Sequence, residues 1–275
     1  MSEAEQDRSQ QLAALLKKLA ANDRPARESG VEKLEQYLDT EEEIPALDFL
    51  KMWKGLYYTM WMTDRPKVQQ AMATRLGRMQ LGVGDHNVAG FVDAFWATIC
   101  RDWNNIDVLR IDKYYLLIRR FVSGMFERLA NSNWDQEMIT SFNKSLMEYP
   151  LNPKNTAIAD GIRYHMIDIF VEEFEKKMAE LTDNAGKKKD SEESDGESAE
   201  EEEDEEKSKV PFNELMKPFE NLAQNSISKV VKKRVYDEVL DLPHLEKVWG
   251  YKKSIGPKPS TLDEKARPKK KAKTK

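Results

Sequence analysis

Apolar residues recur along most of the chain at intervals of three and four positions, the spacing of one face of an α-helix. The clearest stripe consists of Phe49, Trp53, Leu56, Met60 and Trp61. Strand-like alternation of apolar and polar residues is almost absent. The pattern predicts helices at about residues 9–22, 26–39, 45–62, 66–81, 86–104, 108–130, 134–147 and 155–181. We therefore expect an all-α protein.

The turns between these predicted helices repeat at a period near 40 residues. The tripeptide Asp-Arg-Pro occurs at 23–25 and again at 64–66, 41 positions later, and each copy precedes a helix. Proline suits the first helical turn because its missing N–H would have no partner there, and a preceding Asp can cap the free amides. Further turns follow at 104–107 and 149–153. This period is typical of HEAT or armadillo-like repeats and predicts a stack of helical hairpins.

Charge is distributed unevenly around the net value of -5. Residues 187–209 contain 12 acids and 5 bases with almost no apolar residue, which predicts a disordered acidic linker inserted into the helical protein. Ser194 and Ser198 in this segment have acids three positions later, the spacing that acidophilic kinases favour. Residues 252–275 contain 10 bases and 2 acids. The chain is therefore predicted to be segmented.

The predicted domain organisation follows from these segments. Residues 1–186 form the helical-repeat domain, and the acidic linker follows at 187–209. Residues 210–250 form a pair of short helices that packs on the repeat domain and covers its open end. Residues 251–275 form an extended basic tail.

Composition narrows the cellular setting. The single cysteine, Cys100, excludes a disulfide framework and a cysteine-based zinc cluster. The first ten residues are acidic and lack the features of a secretory signal, and no apolar run is long enough to cross a membrane. We expect a soluble protein of a reducing compartment, with no membrane partner.

Residues that could support catalysis are sparse. His86, His165 and His244 are scattered, and neither a Gly-rich phosphate loop nor a Ser or Cys nucleophile motif is present. His165 and Asp168 lie one helical turn apart, but a histidine beside an apolar stripe is more often a packed residue than a metal ligand. We therefore predict that the protein is not an enzyme and uses no metal, cofactor or small-molecule substrate.

The run of residues 53–66, WKGLYYTMWMTDRP, closely resembles the hallmark of the ribosomal RNA-processing protein 1 family. Further resemblance extends from Phe95-Trp96 to Arg119-Arg120-Phe121 and includes residues 161–165, GIRYH. The resemblance implies an all-helical, non-catalytic assembly factor of the large ribosomal subunit, located in the nucleus and nucleolus. It also implies that the protein is needed for pre-rRNA processing and that its partners are other ribosome assembly factors and pre-rRNA within precursor particles.

The predicted helix at 45–62 has more apolar surface than one stripe requires. Met52, Tyr58 and Met62 lie off the stripe, and Gly55 in mid-helix indicates a close approach by another segment. The off-stripe residues fit a second core layer and a partner interface equally well. The candidate partner-binding residues are Lys51, Met52, Lys54, Tyr58, Met62, Asp64 and Arg65.

Basic residues are the candidates for RNA contact. Arg110, Lys113 and Arg120 are predicted on one face of the helix at 108–130, where they either meet phosphates or form a solvated face. The tail is the stronger candidate because it is too polar to fold alone, although residues 269–273 also match a nuclear import signal. Its candidate residues are Lys252, Lys253, Lys258, Lys265, Arg267, Lys269, Lys270, Lys271 and Lys273.

Three functions fit the sequence. The favoured one is a non-catalytic scaffold in large-subunit assembly that binds protein factors through its helical body and pre-rRNA through basic segments. The second is a nuclear helical-solenoid adaptor or histone chaperone-like protein, in which the acidic insert binds basic clients. The third and least supported is a nuclease. Deletion of residues 187–209 distinguishes the first function from the second.

Overall fold

The structure is a computed structural model that describes residues 3–189 and 210–262. Within these residues it contains helices and turns and no β-strand, so the prediction of an all-α fold is confirmed. The helices are α1 (Glu3–Leu19), α2 (Arg24–Leu38), α3 (Ala46–Trp61), α4 (Pro66–Arg78), α5 (Asp85–Asp102), α6 (Ile111–Asn131), α7 (Gln136–Glu148), α8 (Asp160–Lys189), α9 (Phe212–Asn225), α10 (Lys229–Val235) and α11 (Pro243–Trp249).

The helices are arranged in two layers. The odd-numbered helices pack side by side in chain order, from α1 through α3, α5 and α7 to α9. The second layer contains α4, α6, α8 and α10 in the same order, and α2 joins it through an ion pair between Arg75 and Glu35. Successive hairpins thus stack on one another, as the repeat of the Asp-Arg-Pro turns predicts.

Aromatic side chains fill the space between the layers. Trp53 of α3 lies against Phe91 and Phe95 of α5, and its indole Nε1 donates a hydrogen bond of 2.9 Å to the Phe91 carbonyl. The rings of Phe95 and Phe121 are stacked with centroids 3.7 Å apart, which joins α5 to α6. The predicted stripe of α3 is therefore core, and burial of such large side chains is the main stabilisation of the stack.

Glycines allow two close helix contacts. A Cβ at Gly55 would lie 2.8 Å from Leu19 Cδ1, so the close approach predicted at Gly55 is made by α1 of the same chain. Between α4 and α6, a Cβ at Gly124 would lie 2.3 Å from the carbonyl oxygen of Gly77. Any side chain at Gly124 would force these two backbones apart.

The outer surface of α2, α4, α6, α8 and α10, which we call the even-helix face, is crossed by ion pairs between neighbouring helices. The nitrogen–oxygen distances in these pairs range from 2.6 to 3.3 Å. The pairs are Arg75–Glu35, Arg78–Glu127, Arg119–Glu172, Arg119–Glu173, Lys177–Glu127 and Arg234–Asp168. Bases on this face are thus used to connect one hairpin to the next.

The turns that join each odd-numbered helix to the following even-numbered helix lie along one edge of the stack, which we call the turn edge. They comprise residues 20–23, 62–65, 103–110, 149–159 and 226–228. A hydrogen bond from the Ile227 amide to the Pro153 carbonyl connects the last two of these turns.

A donor side chain near the start of every even-numbered helix binds backbone carbonyls at this edge. The donors are Arg27, Gln69, Lys113, Arg163 and Lys232. Carbonyls at the end of a helix and in the following turn have no partner within the helix, so a side-chain donor that reaches them stabilises this edge. This device recurs in all five hairpins, although the donors differ in residue type.

The C-terminal part is larger than the predicted pair of helices. A π-helical turn, Tyr236–Leu240, extends α10, and α11 follows as a third helix. Gly250 ends α11 with φ of 63°, a left-handed conformation that favours glycine. Residues 251–262, which we call the C-terminal strap, then pack back on the body.

A buried carboxylate fixes the strap. Glu220 of α9 is only 5% exposed, and its Oε1 accepts hydrogen bonds from the Tyr251 hydroxyl at 3.0 Å and the Ser254 amide at 2.9 Å. The Ser254 hydroxyl donates to Oε2 of the same carboxylate. The prediction places the extended tail from residue 251, whereas these partners hold residues 251–254 on the body.

Most predicted helix limits agree with the structure to within three residues, and the largest differences are at α1 and α8. Helix α8 starts at Asp160 rather than 155 because Arg163 gathers the carbonyls of the preceding turn, including those of Asn152 and Ile158. Residues 187–189 end α8, and the rest of the predicted acidic linker, with Ser194 and Ser198, lies outside the described residues.

Candidate partner-binding surface

Exposed apolar side chains are concentrated on the turn edge. In the described part of the chain seven large apolar residues are exposed, and five of them lie at or beside these turns. The five are Tyr58 at 42%, Val108 at 87%, Leu109 at 92%, Ile227 at 65% and Val230 at 58%. Single exposed apolar residues are ordinary, but a concentration along one edge is typical of an interaction surface.

Val108 and Leu109 are held by a well-ordered turn rather than by a loose loop. The carboxylate of Asp107 accepts a hydrogen bond of 3.0 Å from the Leu109 amide, and the Asp107 carbonyl accepts one of 3.0 Å from the Arg110 amide. The Arg110 guanidinium binds the same carboxylate and lies 4.7 Å from the centre of the Trp61 ring. The turn therefore presents two apolar side chains to solvent in a fixed position.

Tyr58 stands on a rigid aromatic base. Its ring lies edge-on to Tyr57, with centroids 5.7 Å apart, and Tyr57 packs on Tyr114 at 4.7 Å. The Tyr114 hydroxyl donates a hydrogen bond of 2.9 Å to the Tyr57 carbonyl, and burial raises the pKa of Tyr57 to about 12. Because the base is fixed, a partner that covers Tyr58 would lose little side-chain entropy.

Three bases near the turn edge are paired with acids. Arg110 binds Asp107, Arg101 binds Asp102, and Arg24 binds Glu28 four positions later. An apolar surface with neutralised charges suits a protein partner better than a phosphate backbone. We call the set of Tyr58, Trp61, Val108, Leu109 and Arg110 the turn-edge patch.

The predicted partner-binding residues of α3 are divided by the structure. Lys51, Lys54 and Tyr58 are exposed, and Lys51 pairs with Asp48 at 2.7 Å. Met52 is fully buried and was wrongly expected at an interface, because it lies on the side of α3 that faces the core. The remaining candidates lie at the end of α3 and in the next turn: Met62 is half-buried, and Asp64 and Arg65 are exposed.

The three basic residues predicted on one RNA-binding face of α6 do not form such a face. Lys113 is 4% exposed, and its Nζ donates to the carbonyls of Trp61 at 2.5 Å and Thr63 at 2.9 Å. Burial lowers the pKa of Lys113. The prediction that Lys113 contacts RNA is wrong, because α6 lies between α4 and α8 and has no broad solvated face near its start.

Arg110 and Arg120 are half-buried and lie apart. Arg110 belongs to the turn-edge patch, whereas Arg120 packs against Gly77, and the Nε of each is buried without a hydrogen-bond partner. Neither guanidinium is displayed to solvent as a free phosphate ligand would be.

The tail candidates that the structure describes lie on the strap. Lys252 is exposed, whereas Lys258 pairs with Asp237 at 2.7 Å and Lys253 pairs with Asp241. The prediction of free, extended bases is therefore wrong for Lys253 and Lys258, because acids of the π-helical turn and the following residue neutralise them. The other candidates, Lys265, Arg267, Lys269, Lys270, Lys271 and Lys273, lie outside the described residues.

Two groups with potential chemistry, His165 and Cys100, are largely removed from solvent, whereas His86 and His244 are exposed. Burial lowers the pKa of His165 to about 4, and its Nε2 lies 2.9 Å from the Tyr115 carbonyl. Burial raises the pKa of Cys100 to about 12. Across residues 3–189 and 210–262, no three His, Cys, Asp or Glu side chains are grouped as metal ligands would be. No helix in those ranges combines the length and apolar character that crossing a bilayer requires.

Val108 and Leu109 are the surface residues that sequence reasoning missed. Val108 is the first residue of the helix predicted at 108–130, so a position in an exposed turn was not expected. Helix α6 begins only at Ile111, and the two residues before Arg110 therefore belong to a turn. The available signal was Asp107, a turn-forming residue placed directly before them.

The fold and this surface define an all-helical hairpin-stack protein with an exposed apolar edge. The family model described as "Nucleolar protein, Nop52" matches residues 10–275. The chain therefore belongs to the Nop52 family of nucleolar proteins.

Curated relatives of this chain are named as ribosomal RNA processing protein 1 homologs. Ribosomal RNA processing protein 1 homolog B of Homo sapiens is 36% identical over 165 residues, which cover 58% of this chain and 22% of the relative. Homolog A of Homo sapiens is 34% identical over 175 residues, covering 60% of this chain and 37% of the relative. The Drosophila melanogaster homolog is 37% identical over 133 residues, covering 47% and 19%. The matched regions thus span well under half the length of these relatives.

Proposed function

We propose that the protein is a non-catalytic scaffold in ribosomal RNA processing and large-subunit assembly. Its helical body binds other ribosome assembly factors through the turn-edge patch, and its basic tail binds pre-rRNA in precursor particles. The names of the relatives support the process, and family membership supports the nucleolar setting.

The observation that carries the proposal is the fixed exposure of Leu109 and Val108 beside Tyr58. These side chains are preorganised on a turn and on a buried aromatic base, while nearby bases are neutralised by acids. Binding energy at protein interfaces is concentrated in a few such residues at the centre of a patch. A scaffold needs a rigid surface of this kind, and His165, which lies one helical turn from Asp168, has a packing role instead of a catalytic one.

The decisive experiment changes Leu109 to Asp. We expect recovery of assembly factors and precursor rRNA with the tagged chain to fall at least about tenfold, since a central interface residue commonly contributes 2 kcal/mol or more. The melting temperature should change little because Leu109 is almost fully exposed. Tyr58→Asp should act in the same direction with a smaller effect, since Tyr58 is partly covered.

Leu47→Asp is the matched control. Leu47 is exposed at the start of α3, at the opposite end of that helix from Tyr58. This variant should associate normally. If Leu47→Asp and Leu109→Asp reduce recovery equally, or if neither does, the turn-edge patch is not the interface.

The RNA-binding half of the proposal is tested by truncation after Leu262, which removes the remaining tail bases and keeps the strap on Glu220. Suppose five of those bases reach phosphates: the slope of log affinity against log salt for single-stranded RNA should then change by about 3.5. The truncated chain should carry a foreign nuclear import signal so that localisation is unchanged. An unaltered salt slope would show that the tail serves import alone.

A further inference from the structure

The two Asp-Arg-Pro turns lie side by side and enclose a cavity of about 290 Å³. Its apolar part is formed by Met62, Val68 and Met72, and Arg24 and Arg65 of the two tripeptides stand at its sides. This volume is at the lower end of the range for ligand pockets. The cavity therefore fits one apolar side chain rather than a cofactor. We call it the twin-turn pocket.

Most charges around the twin-turn pocket are already compensated. Arg24 pairs with Glu28 at 2.7 Å, and Asp64 lies 3.6 Å from Lys113. Arg27 is 7% exposed and donates to two backbone carbonyls at 2.8 Å each. Arg65 is the exception, since its exposed guanidinium has no acidic partner in the described part of the chain.

The start of α4 adds to this uncompensated positive charge. Asp23 caps α2 by accepting a hydrogen bond of 3.0 Å from the Ala26 amide, but Arg65 at the corresponding position of α4 makes no capping side-chain bond. Pro66 has no N–H, so the amides of Lys67 and Val68 are the ones that remain available, and the N-terminal end of a helix favours an anion. The twin-turn pocket thus combines an apolar floor with a positively charged rim.

We propose that the twin-turn pocket receives one apolar side chain of a protein partner segment that carries an acidic residue next to it. The apolar side chain lies on Met62, Val68 and Met72, and the carboxylate binds Arg65 and the first amides of α4. A protein segment fits better than RNA, because the pocket has no aromatic side chain on which a base could stack. This inference rests on the proposed scaffold function and names the partner chemistry at one position of the turn edge.

Binding of capped dipeptides to the purified chain tests the pocket directly. The probes are acetyl-Leu-Glu-amide, acetyl-Leu-Gln-amide, acetyl-Leu-Lys-amide and acetyl-Gln-Glu-amide, and the readout is the methyl resonances of Met62 and Met72 in chain labelled at methionine methyl carbons. We expect saturable shifts with acetyl-Leu-Glu-amide in the millimolar range. The Gln analogue should bind about fivefold more weakly, as the loss of one exposed ion pair implies. The Lys and Gln-Glu peptides should bind more weakly still.

Two variants with one control locate the binding. Val68→Trp fills the pocket from a half-buried position on α4 and should abolish the shifts. Thr74→Trp places the same side chain on an exposed position of α4 outside the pocket and should leave binding unchanged. Arg65→Glu should remove the preference for Glu over Gln and retain binding of the Leu side chain.

Three results would overturn the inference. They are the absence of saturable shifts at Met62 and Met72, equal affinity for the Glu, Gln and Lys peptides, and unchanged binding by the Val68→Trp variant. All of these are measured on the isolated chain, whereas the scaffold function is tested by recovery of particles with Leu109→Asp. Failure of the pocket inference can therefore be distinguished from failure of the scaffold function.

Discussion

Arg119 and Arg65 both lie at the surface of the stack, but their surroundings differ. Arg119 on the even-helix face binds Glu172 at 2.6 Å and Glu173 at 2.8 Å, and both acids belong to the next helix of the layer. Arg65 on the turn edge has no acidic partner among the described residues. The even-helix face uses its charges within the chain, whereas the turn edge leaves both charge and apolar surface available.

This difference separates structural charge from binding surface. Basic residues of the helical body are candidates for RNA contact by sequence alone, yet on the even-helix face bases such as Arg75 and Arg234 are ion-paired to neighbouring helices. On the turn edge the exposed residues are apolar and the nearby bases are mostly neutralised. The turn edge is therefore better suited to protein contact than to RNA contact, and we assign the proposed RNA contact to the tail.

Among the variants that test this comparison, Arg119→Ala is expected to cause the largest loss of stability. It leaves the buried carboxylate of Glu173, which is 0% exposed, without its cation, and such a loss costs about 3 kcal/mol of unfolding free energy. Thermal unfolding should show a melting temperature lower by about 6 to 10 °C.

Arg75→Ala is the control, because the Arg75–Glu35 pair is more exposed and its loss should cost no more than about 0.5 kcal/mol. Addition of Glu173→Gln to Arg119→Ala should restore part of the stability. Equal melting temperatures for the two Ala variants would mean that the even-helix face is a solvated surface like any other.

A smaller but clear loss of stability is expected from Lys113→Met. The substitution keeps the apolar stem and removes the donor to Trp61 and Thr63. The Trp61 carbonyl loses its side-chain donor, whereas Thr63 keeps the bond from Gln69, and we expect a cost of about 2 kcal/mol. Denaturant unfolding measures this loss, and RNA affinity of the folded variant should equal that of the parent. If stability is unchanged and RNA binding is weaker, Lys113 contacts RNA and its role is not structural.

The smallest effect is expected from replacing residues 190–209 by a Gly-Ser linker of equal length. The replacement leaves every described residue of the even-helix face and the turn edge unchanged, so the melting temperature should stay within about 1 °C and recovery of assembly factors should be unchanged. Pull-down with core histones provides the contrasting measurement. Loss of both histone binding and precursor recovery would favour the histone chaperone-like alternative over the scaffold.

Much of the fold could be predicted because its signals are local. The stripe through Trp53 and Met60 is set by helical periodicity, and Pro25 and Pro66 mark helix starts by their own geometry. Both prolines lie in the first turn of a helix in the structure. The strap was not predicted, because its attachment depends on Glu220, which lies 31 positions before Tyr251.

The candidate site could be predicted only in part. Met52 and Tyr58 are equivalent in sequence, since both lie off the stripe of one helix, yet one is fully buried and the other is exposed. The distinction depends on where neighbouring helices lie, and no local pattern contains that information. Lys113 could not be recognised as buried for the same reason, because its partners belong to a turn about 50 positions earlier.

The sequence by itself determined that the chain is helical and where most helices begin and end. It also determined that hairpins recur at a period of about 40 residues. These properties arise from residue spacing and turn chemistry within each segment. The tertiary structure alone decided which polar and apolar residues remain exposed. Lysine is ordinarily exposed and leucine ordinarily buried, yet Lys113 is buried and Leu109 is exposed. Lys113 is buried by segments distant in the chain, and Leu109 is exposed because α6 starts later than its pattern suggests. A partner-binding surface consists of what packing leaves uncovered, and packing is a property of the whole stack.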